Sequence, residues 1–154
     1  MTLIIGCDPG KGGGLSALSD GRLLDAIPMP LVGKDIDAHG IRDFIDAWGN
    51  STATIALEEV HAMPRQGVSS TFTFGMGYGI VIGVALGAGY SLRTIRPAEW
   101  KRLVGIPAGS DKDASFAKAT MLFPDMRDRW KLKKHDGVAE AALIAEAVRV
   151  RDSL

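Results

Sequence analysis

Four or five carboxylates sit where they could hold a divalent cation. Asp8 closes the apolar run Thr2-Leu3-Ile4-Ile5-Gly6-Cys7, which stops in Pro9-Gly10. Glu58 and Glu59 close a second short apolar run, Thr52 to Leu57. Asp136 and Glu140 stand four apart at the start of the last helical stretch, so both project from one face, where the helix dipole favours negative charge. Taken alone, that pair reads as ordinary N-terminal helix acids. An acid at the tip of a buried strand is another matter, because it costs free energy unless something positive neutralises it. Acids at two strand ends and on a late helix form a common oxygen-ligand set for Mg²⁺ or Mn²⁺, and without a cation such groups repel until one takes up a proton. Zinc has no comparable set, since His39, His61 and His135 are scattered and Cys7 is alone.

The elements between these acids decide whether they can meet. After Asp8, Gly12-Gly13-Gly14 leads into Leu15 to Leu18, and Asp20-Gly21 is a hairpin signal before Arg22 to Met29, which together predict a three-stranded antiparallel meander. Apolar residues Ile36, Ile41, Phe44, Ile45 and Trp48 predict a helix from Ile36 to Trp48, ended near Gly49-Asn50. A strand reached through such a crossover usually runs parallel to its partner, so Asp8 and one of the two glutamates emerge at the same sheet edge.

Residues 61–67 read as a polar loop, and Ser69-Ser70-Thr71 offer caps for the following helix. Gly75, Gly79, Gly83 and Gly87 recur every four residues in it. Each costs about 0.5–1 kcal/mol relative to Ala in a helix interior, so close packing against the sheet or another helix is expected, with a subunit interface as the alternative. Tyr90 to Ile95 reads as a strand, Pro97 opens a short helix over Ala98 to Val104, and Asp111 to Phe123 is a further helix before Pro124. The last helix runs from about Asp136 towards Val150.

At 154 residues, one domain is expected. The lone Cys7 excludes an internal disulfide and reads as core packing in a reducing compartment. Basic and acidic residues balance at 18 each, but residues 1–90 hold 5 basic and 9 acidic side chains while residues 91–154 hold 13 and 9. The C-terminal part is therefore the expected polyanion face. No secretory leader is expected ahead of the first strand. The uncharged run from Phe74 to Tyr90 is at the low end for a membrane span and is interrupted by six glycines, so a buried helix is the preferred reading.

Four motifs in order, Gly6-Cys7-Asp8-Pro9-Gly10, Ala56-Leu57-Glu58-Glu59-Val60, the Gly-rich helix, and His135-Asp136-Gly137-Val138-Ala139-Glu140-Ala141, resemble the RuvC-type Holliday junction resolvases of the RNase H-like superfamily. Met63-Pro64-Arg65-Gln66-Gly67, Ser70-Thr71-Phe72 and Pro97-Ala98-Glu99-Trp100-Lys101 are similar to bacteriophage and prophage members of that group. The resemblance covers almost the whole chain. It implies an α/β fold of RNase H-like type: a mixed five-stranded sheet, an antiparallel meander plus parallel strands, flanked by helices on both faces. It further implies a cytoplasmic homodimer, in a bacterium or a phage-infected host, that binds a four-way DNA junction and nicks two strands symmetrically. The implied chemistry is phosphodiester hydrolysis with two Mg²⁺ ions per site, about 3.5–4 Å apart, with Mn²⁺ substituting.

Carried over by residue, the resemblance assigns the acids to Asp8, Glu58, Asp136 and Glu140. Glu58 is chosen because it follows Ala56-Leu57 directly, whereas Glu59 points to the other face. Many members carry two aspartates three apart on the last helix, whereas here the spacing is four, and His135 could contribute beside them. Phosphate contacts are expected from Lys11, Arg65, Gln66 and the basic run Arg127 to Lys134, chiefly Arg129, Lys131, Lys133 and Lys134, with an ordinary solvated run as the alternative. His61 and Phe72 follow the second acid, where the family carries groups that contact or stack on bases; for Phe72 a core aromatic is the preferred reading, and for His61 an ordinary surface role is an equal alternative.

Three other functions compete. Asp8-Pro9-Gly10-Lys11-Gly12-Gly13 is loosely similar to the phosphate loop of actin-like phosphotransferases, but those enclose a nucleotide between two such domains. A less selective branched-DNA nuclease and a non-catalytic junction-binding module share the motifs without sharing the full activity.

Overall fold

The computed structural model describes residues 2–49 and 52–154. Strand β1 (Leu3–Asp8) pairs antiparallel with β2 (Gly14–Ser19), which pairs antiparallel with β3 (Arg22–Pro28) across the Asp20-Gly21 turn. Both turn residues have positive φ, 48° and 84°, as such a turn requires. A two-residue hairpin, β4 (Leu31–Val32) and β5 (Asp35–Ile36), precedes helix α1 (Ala38–Trp48). Strand β6 (Thr54–Glu58) then lies parallel to β1, helix α2 (Val68–Gly87) crosses over, and β7 (Ser91–Ile95) lies parallel to β6. Helices α3 (Pro97–Leu103) and α4 (Lys112–Leu122) follow, then two 3₁₀ turns over Pro124–Trp130 and Lys133–His135, and last α5 (Asp136–Arg151). The sheet order β3-β2-β1-β6-β7 is the expected meander joined to two parallel strands.

Alternation along the strands builds two apolar layers. Ile4 and Ala56 face α5, packing with Trp100, Val138, Ala142 and Leu143, while Ile5, Cys7, Ile55 and Leu57 face α1 and α2, packing with Ile41, Ile45, Val81 and Ala85. Cys7 is fully buried in the second layer, as its neighbours required.

Several local expectations fail. Helix α1 starts at Ala38, because Asp37 caps it by accepting from the His39 amide at 3.0 Å, and Ile36 belongs instead to the small hairpin turned at Gly33, φ 60°. Asn50, placed at the end of that helix, lies outside the described residues. In α2 the residues Ser69, Ser70 and Thr71 are not caps: Gly67 is the cap residue and Thr71 Oγ1 donates back to its carbonyl at 3.0 Å.

The four-residue glycine series is also not a packing groove within the chain. A Cβ at Gly75, Gly79, Gly83 or Gly87 would meet nothing within 4 Å, and the close contact belongs to Gly77, which receives Ile36. Only Gly77, Val81 and Ala85 of α2 are buried. Its 20 residues have a mean hydropathy of 1.4, enough by length and composition to cross a membrane, yet the helix lies along the sheet as a crossover.

Candidate active site

Register places the first two acids side by side. Gly6 pairs with Ala56 and Cys7 with Leu57 in parallel, so the next residues, Asp8 and Glu58, leave the same end of adjacent central strands. Both share the strand face of Gly6 and Ala56, the one covered by α5. Glu59 lies beyond the strand end, its amide donating to the Ile95 carbonyl at 2.8 Å and its Oε1 3.2 Å from His61 Nε2.

Missing side chains bring the second pair of acids to that end. A Cβ at Gly6 would overlap the Ala141 carbonyl oxygen, and one at Gly137 would overlap the Gly12 carbonyl and Gly13 Cα. Helix α5 therefore rests backbone-to-backbone on β1 and on the β1–β2 loop. Ser16 Oγ, fully buried, fixes the seat by donating to the Ala141 carbonyl at 2.8 Å. Asp136 and Glu140, one turn apart, thus stand beside Asp8.

The electrostatics show the convergence. The Asp8 carboxyl is pushed up to about 8, first by burial and then by Glu58, Glu140 and Asp136, with Lys112 pulling the other way. Burial likewise raises Glu58, against the Trp100 hydrogen bond, and raises Glu140, against the Ser115 hydrogen bond. The Cys7 thiol is held up by burial, then by Asp8 and Glu58, and is inert. Buried carboxyls that also repel one another therefore meet at one point. Three of the acids already have a donor: Trp100 Nε1 to Glu58 Oε2 at 2.6 Å, Ser115 Oγ to Glu140 Oε1 at 3.1 Å, and Lys112 Nζ to Asp136 Oδ2 at 2.7 Å. As placed, no three His, Cys, Asp or Glu side chains among the described residues stand close enough to ligate one ion, so a cation would have to draw carboxylates inward. The donor set, all carboxylate oxygen with a surplus of negative charge, is the chemistry that Mg²⁺ or Mn²⁺ takes.

Lys112 and Ser115 join the site without a motif to mark them, and Lys101 joins it from the Pro97-to-Lys101 motif, which assigned it no role. Lys112 and Ser115 are three apart on α4, a helix of mixed polar and small residues in which that spacing was their only local signal. Lys101 sits 5.3 Å from the Trp100 ring and counters the charge of both Glu58 and Glu140.

The other expected site residues are more dispersed. His135 is half-buried just before α5, and among the described residues its side chain makes no hydrogen bond to the four acids. Lys11 is exposed beside the site and lines a crevice of about 310 Å³ with Gly10, Ser69, Ser70 and Thr73. Arg65 is exposed at φ 67° in the turn after β6, whose shape is held by Gln66 Oε1 accepting from the Met63 amide at 3.1 Å. Phe72 is not a core aromatic: it is 72% exposed, because its position on α2 faces away from the sheet. Arg129 is ion-paired with Asp25 at 2.7 Å and Lys131 with Asp128 at 2.9 Å, while Lys133 and Lys134 are exposed. Lys131 and Lys133 line a groove of about 570 Å³ with Arg127, Phe116 and Trp130.

No family model matches the sequence. Over 132 residues, 86% of this chain, it is 32% identical to the chloroplastic Holliday junction resolvase MOC1 of Chlamydomonas reinhardtii. The chain spans 13% of that protein's length. In structure it is similar to RuvC of T. thermophilus in complex with a Holliday junction substrate, with a TM-score of 0.73 at 16% identity, covering 99% of this chain and 96% of that one. A second Thermus thermophilus RuvC structure gives 0.70 at 15% identity with the same coverage. The chain has the RuvC fold, of the RNase H-like type expected from its motifs.

Proposed function

We propose that the chain is a divalent-metal-dependent endonuclease that resolves four-way DNA junctions by paired nicks. The observation that carries this reading is the convergence of Asp8, Glu58, Asp136 and Glu140, from two strand ends and one helix, with the Asp8 carboxyl pushed up to about 8 by burial first and by the other three acids second. A relative that is itself named a Holliday junction resolvase, and a fold shared with RuvC, support the choice of substrate.

Asp8, Glu58, Asp136 and Glu140 would hold Mg²⁺, two ions in this reading, with Mn²⁺ substituting. Such ions supply an attacking water of lowered pKa and charge stabilisation for the leaving 3′ oxygen. The chain's own part is to hold the carboxylates on rigid elements. Lys11, Arg65, Lys133 and Lys134 are free to neutralise backbone phosphates around the site, and Phe72 offers an exposed ring to a base. Arg129 and Lys131 would first have to leave Asp25 and Asp128.

Lys112 fills part of the cation's role when no ion is bound. Lys112→Gln is therefore expected to tighten Mn²⁺ affinity modestly, up to roughly five-fold for an ion pair this exposed, as read by calorimetry. An unchanged or weaker affinity would contradict that role.

The uncovered face of α2 supports a homodimer. Phe72, Met76, Gly79, Gly83 and Leu86 recur along one stripe, continued at its start by Val68, 88% exposed, and the glycines leave room for close backbone approach. A second copy of the chain would cover this stripe and set two sites on one junction. Met76→Glu is expected to give a folded monomer by light scattering at micromolar concentration, with paired nicking reduced to single nicks. A wild type that stays monomeric with and without junction DNA removes the dimer from the reading.

The selectivity is tested with a synthetic four-way junction and a linear duplex of matched sequence in Mg²⁺. Paired nicks confined to the junction support resolution. Equal cutting of both substrates leaves a less selective nuclease, and binding without cutting leaves a junction-binding module.

A further inference from the structure

Two nearly sealed donors touch the acid cluster from behind. Trp100 is fully buried and Ser115 is 2% exposed, yet each directs its polar hydrogen at a carboxylate: the indole at Glu58 Oε2 and the hydroxyl at Glu140 Oε1. The two acids come from different elements, β6 and α5, and so do the donors, α3 and α4. In each case the donor engages one carboxylate oxygen, Glu58 Oε2 or Glu140 Oε1, leaving the other oxygen of the group without that bond. No buried side-chain nitrogen or oxygen among the described residues lacks a partner, so these donors are committed rather than idle.

We infer that Trp100 and Ser115 are positioning residues for metal binding, fixing which oxygen and which rotamer of Glu58 and Glu140 face the ion. This rests on the metal-site reading above. Three features make the indole suited to the task. It is a donor only and cannot compete as a ligand. Its ring is immobilised in the α5-side core with Val138 and Leu143. Its outer face carries Lys101, 5.3 Å from the ring, whose charge also favours ionised Glu58 and Glu140. Outer partners of this kind orient ligating carboxylates, and their loss typically costs 10–100-fold in metal affinity or activity.

The molecule supplies its own control. Trp130 is also buried and its Nε1 donates to Thr120 Oγ1 at 3.0 Å, but that bond does not involve the acids. Trp130→Phe thus removes an indole hydrogen bond from the same core without touching Glu58. The experiment measures Mn²⁺ affinity by calorimetry on the full chain without DNA, for wild type, Asp8→Asn, Trp100→Phe, Ser115→Ala and Trp130→Phe. In parallel, the Trp100 indole N–H resonance is followed by NMR as Mg²⁺ is added.

Trp100→Phe and Ser115→Ala are each expected to weaken Mn²⁺ binding by about ten-fold or more, with Trp130→Phe unchanged, and the Trp100 resonance is expected to move with Mg²⁺. Unchanged affinity in both Trp100→Phe and Ser115→Ala overturns the inference, and so does an equal loss in Trp130→Phe, which would mean general loosening of the core. Should Trp100→Phe fail to fold, Ser115→Ala and the wild-type resonance decide alone. A wild type whose Mn²⁺ binding is absent or survives Asp8→Asn overturns the metal-site reading itself, and the inference with it.

Discussion

Asp8→Asn is expected to make the metal-free protein more stable at pH 8 while destroying its ability to cut DNA. The Asp8 carboxyl has an ordinary value of 3.8 and is pushed up to about 8 in the folded chain, mainly by burial and by Glu58. The folded state therefore keeps a proton that the unfolded state releases as pH rises above about 4. Stability falls across the window from about 4 to about 8 and carries the full penalty above it. At 1.36 kcal/mol per unit, and discounted because Asp8 keeps some contact with solvent, the loss is on the order of a few kcal/mol. Asparagine does not titrate, so most of this slope should vanish in Asp8→Asn; some persists because Glu58 and Glu140 are raised in the same direction. Melting temperatures in a chelator between pH 5 and pH 8.5 measure it. A wild-type curve that rises across that range, or a variant curve parallel to the wild type, contradicts the account. Adding Mg²⁺ at pH 8 should restore the wild type and leave Asp8→Asn unmoved.

Gly6→Ala is expected to destabilise the chain severely for a single added methyl group. Its Cβ would overlap the Ala141 backbone oxygen and lie 2.6 Å from Ser16 Oγ and 2.9 Å from the Ala145 Cβ. The obstructing group is the backbone of a buried helix, so it cannot swing aside. Accommodation requires α5 to lift off β1, breaking the Ser16–Ala141 hydrogen bond and carrying Asp136 and Glu140 away from Asp8. Overpacking of this kind costs roughly 3 kcal/mol or more, a drop of on the order of 10 °C in a chain of this size. Gly12→Ala, where a Cβ meets nothing within 4 Å, should melt within a degree or so of wild type. If the two variants melt alike, the glycine seat under α5 is not what positions the acids.

How far the site could be read from the residues depended on where the governing contacts lie. Asp8 was legible because it ends an apolar run, and so was the pair Glu58-Glu59, of which the family resemblance and strand alternation select Glu58. Asp136 and Glu140 were legible as a pair from their spacing on α5, but their approach to Asp8 depends on Gly6, Gly14 and Gly137, whose role emerges only when helix and sheet are stacked. Ser115 and Lys112 were invisible because nothing local distinguishes a serine that touches a carboxylate 25 residues away.

The helix α2 failed differently. A glycine every fourth residue looks the same in sequence whether the neighbour is the chain's own sheet or another molecule, and here the sheet side uses Gly77 instead. Phe72 was ambiguous for the same reason. Ile36 has the apolar spacing of α1, but the Asp37 cap one residue later starts the helix after it.

In the proposed reading Asp8, Glu58, Asp136 and Glu140 form one metal site that cuts a four-way junction. Its most direct test is a single titration of wild type and Asp8→Asn against a labelled four-way junction in Mg²⁺, reading binding by gel shift and cleavage from the same samples. Equal binding by both proteins is expected, with paired nicks from wild type and none from Asp8→Asn. Cleavage by Asp8→Asn at the wild-type rate, or a wild type that binds the junction and never cuts it, would contradict it.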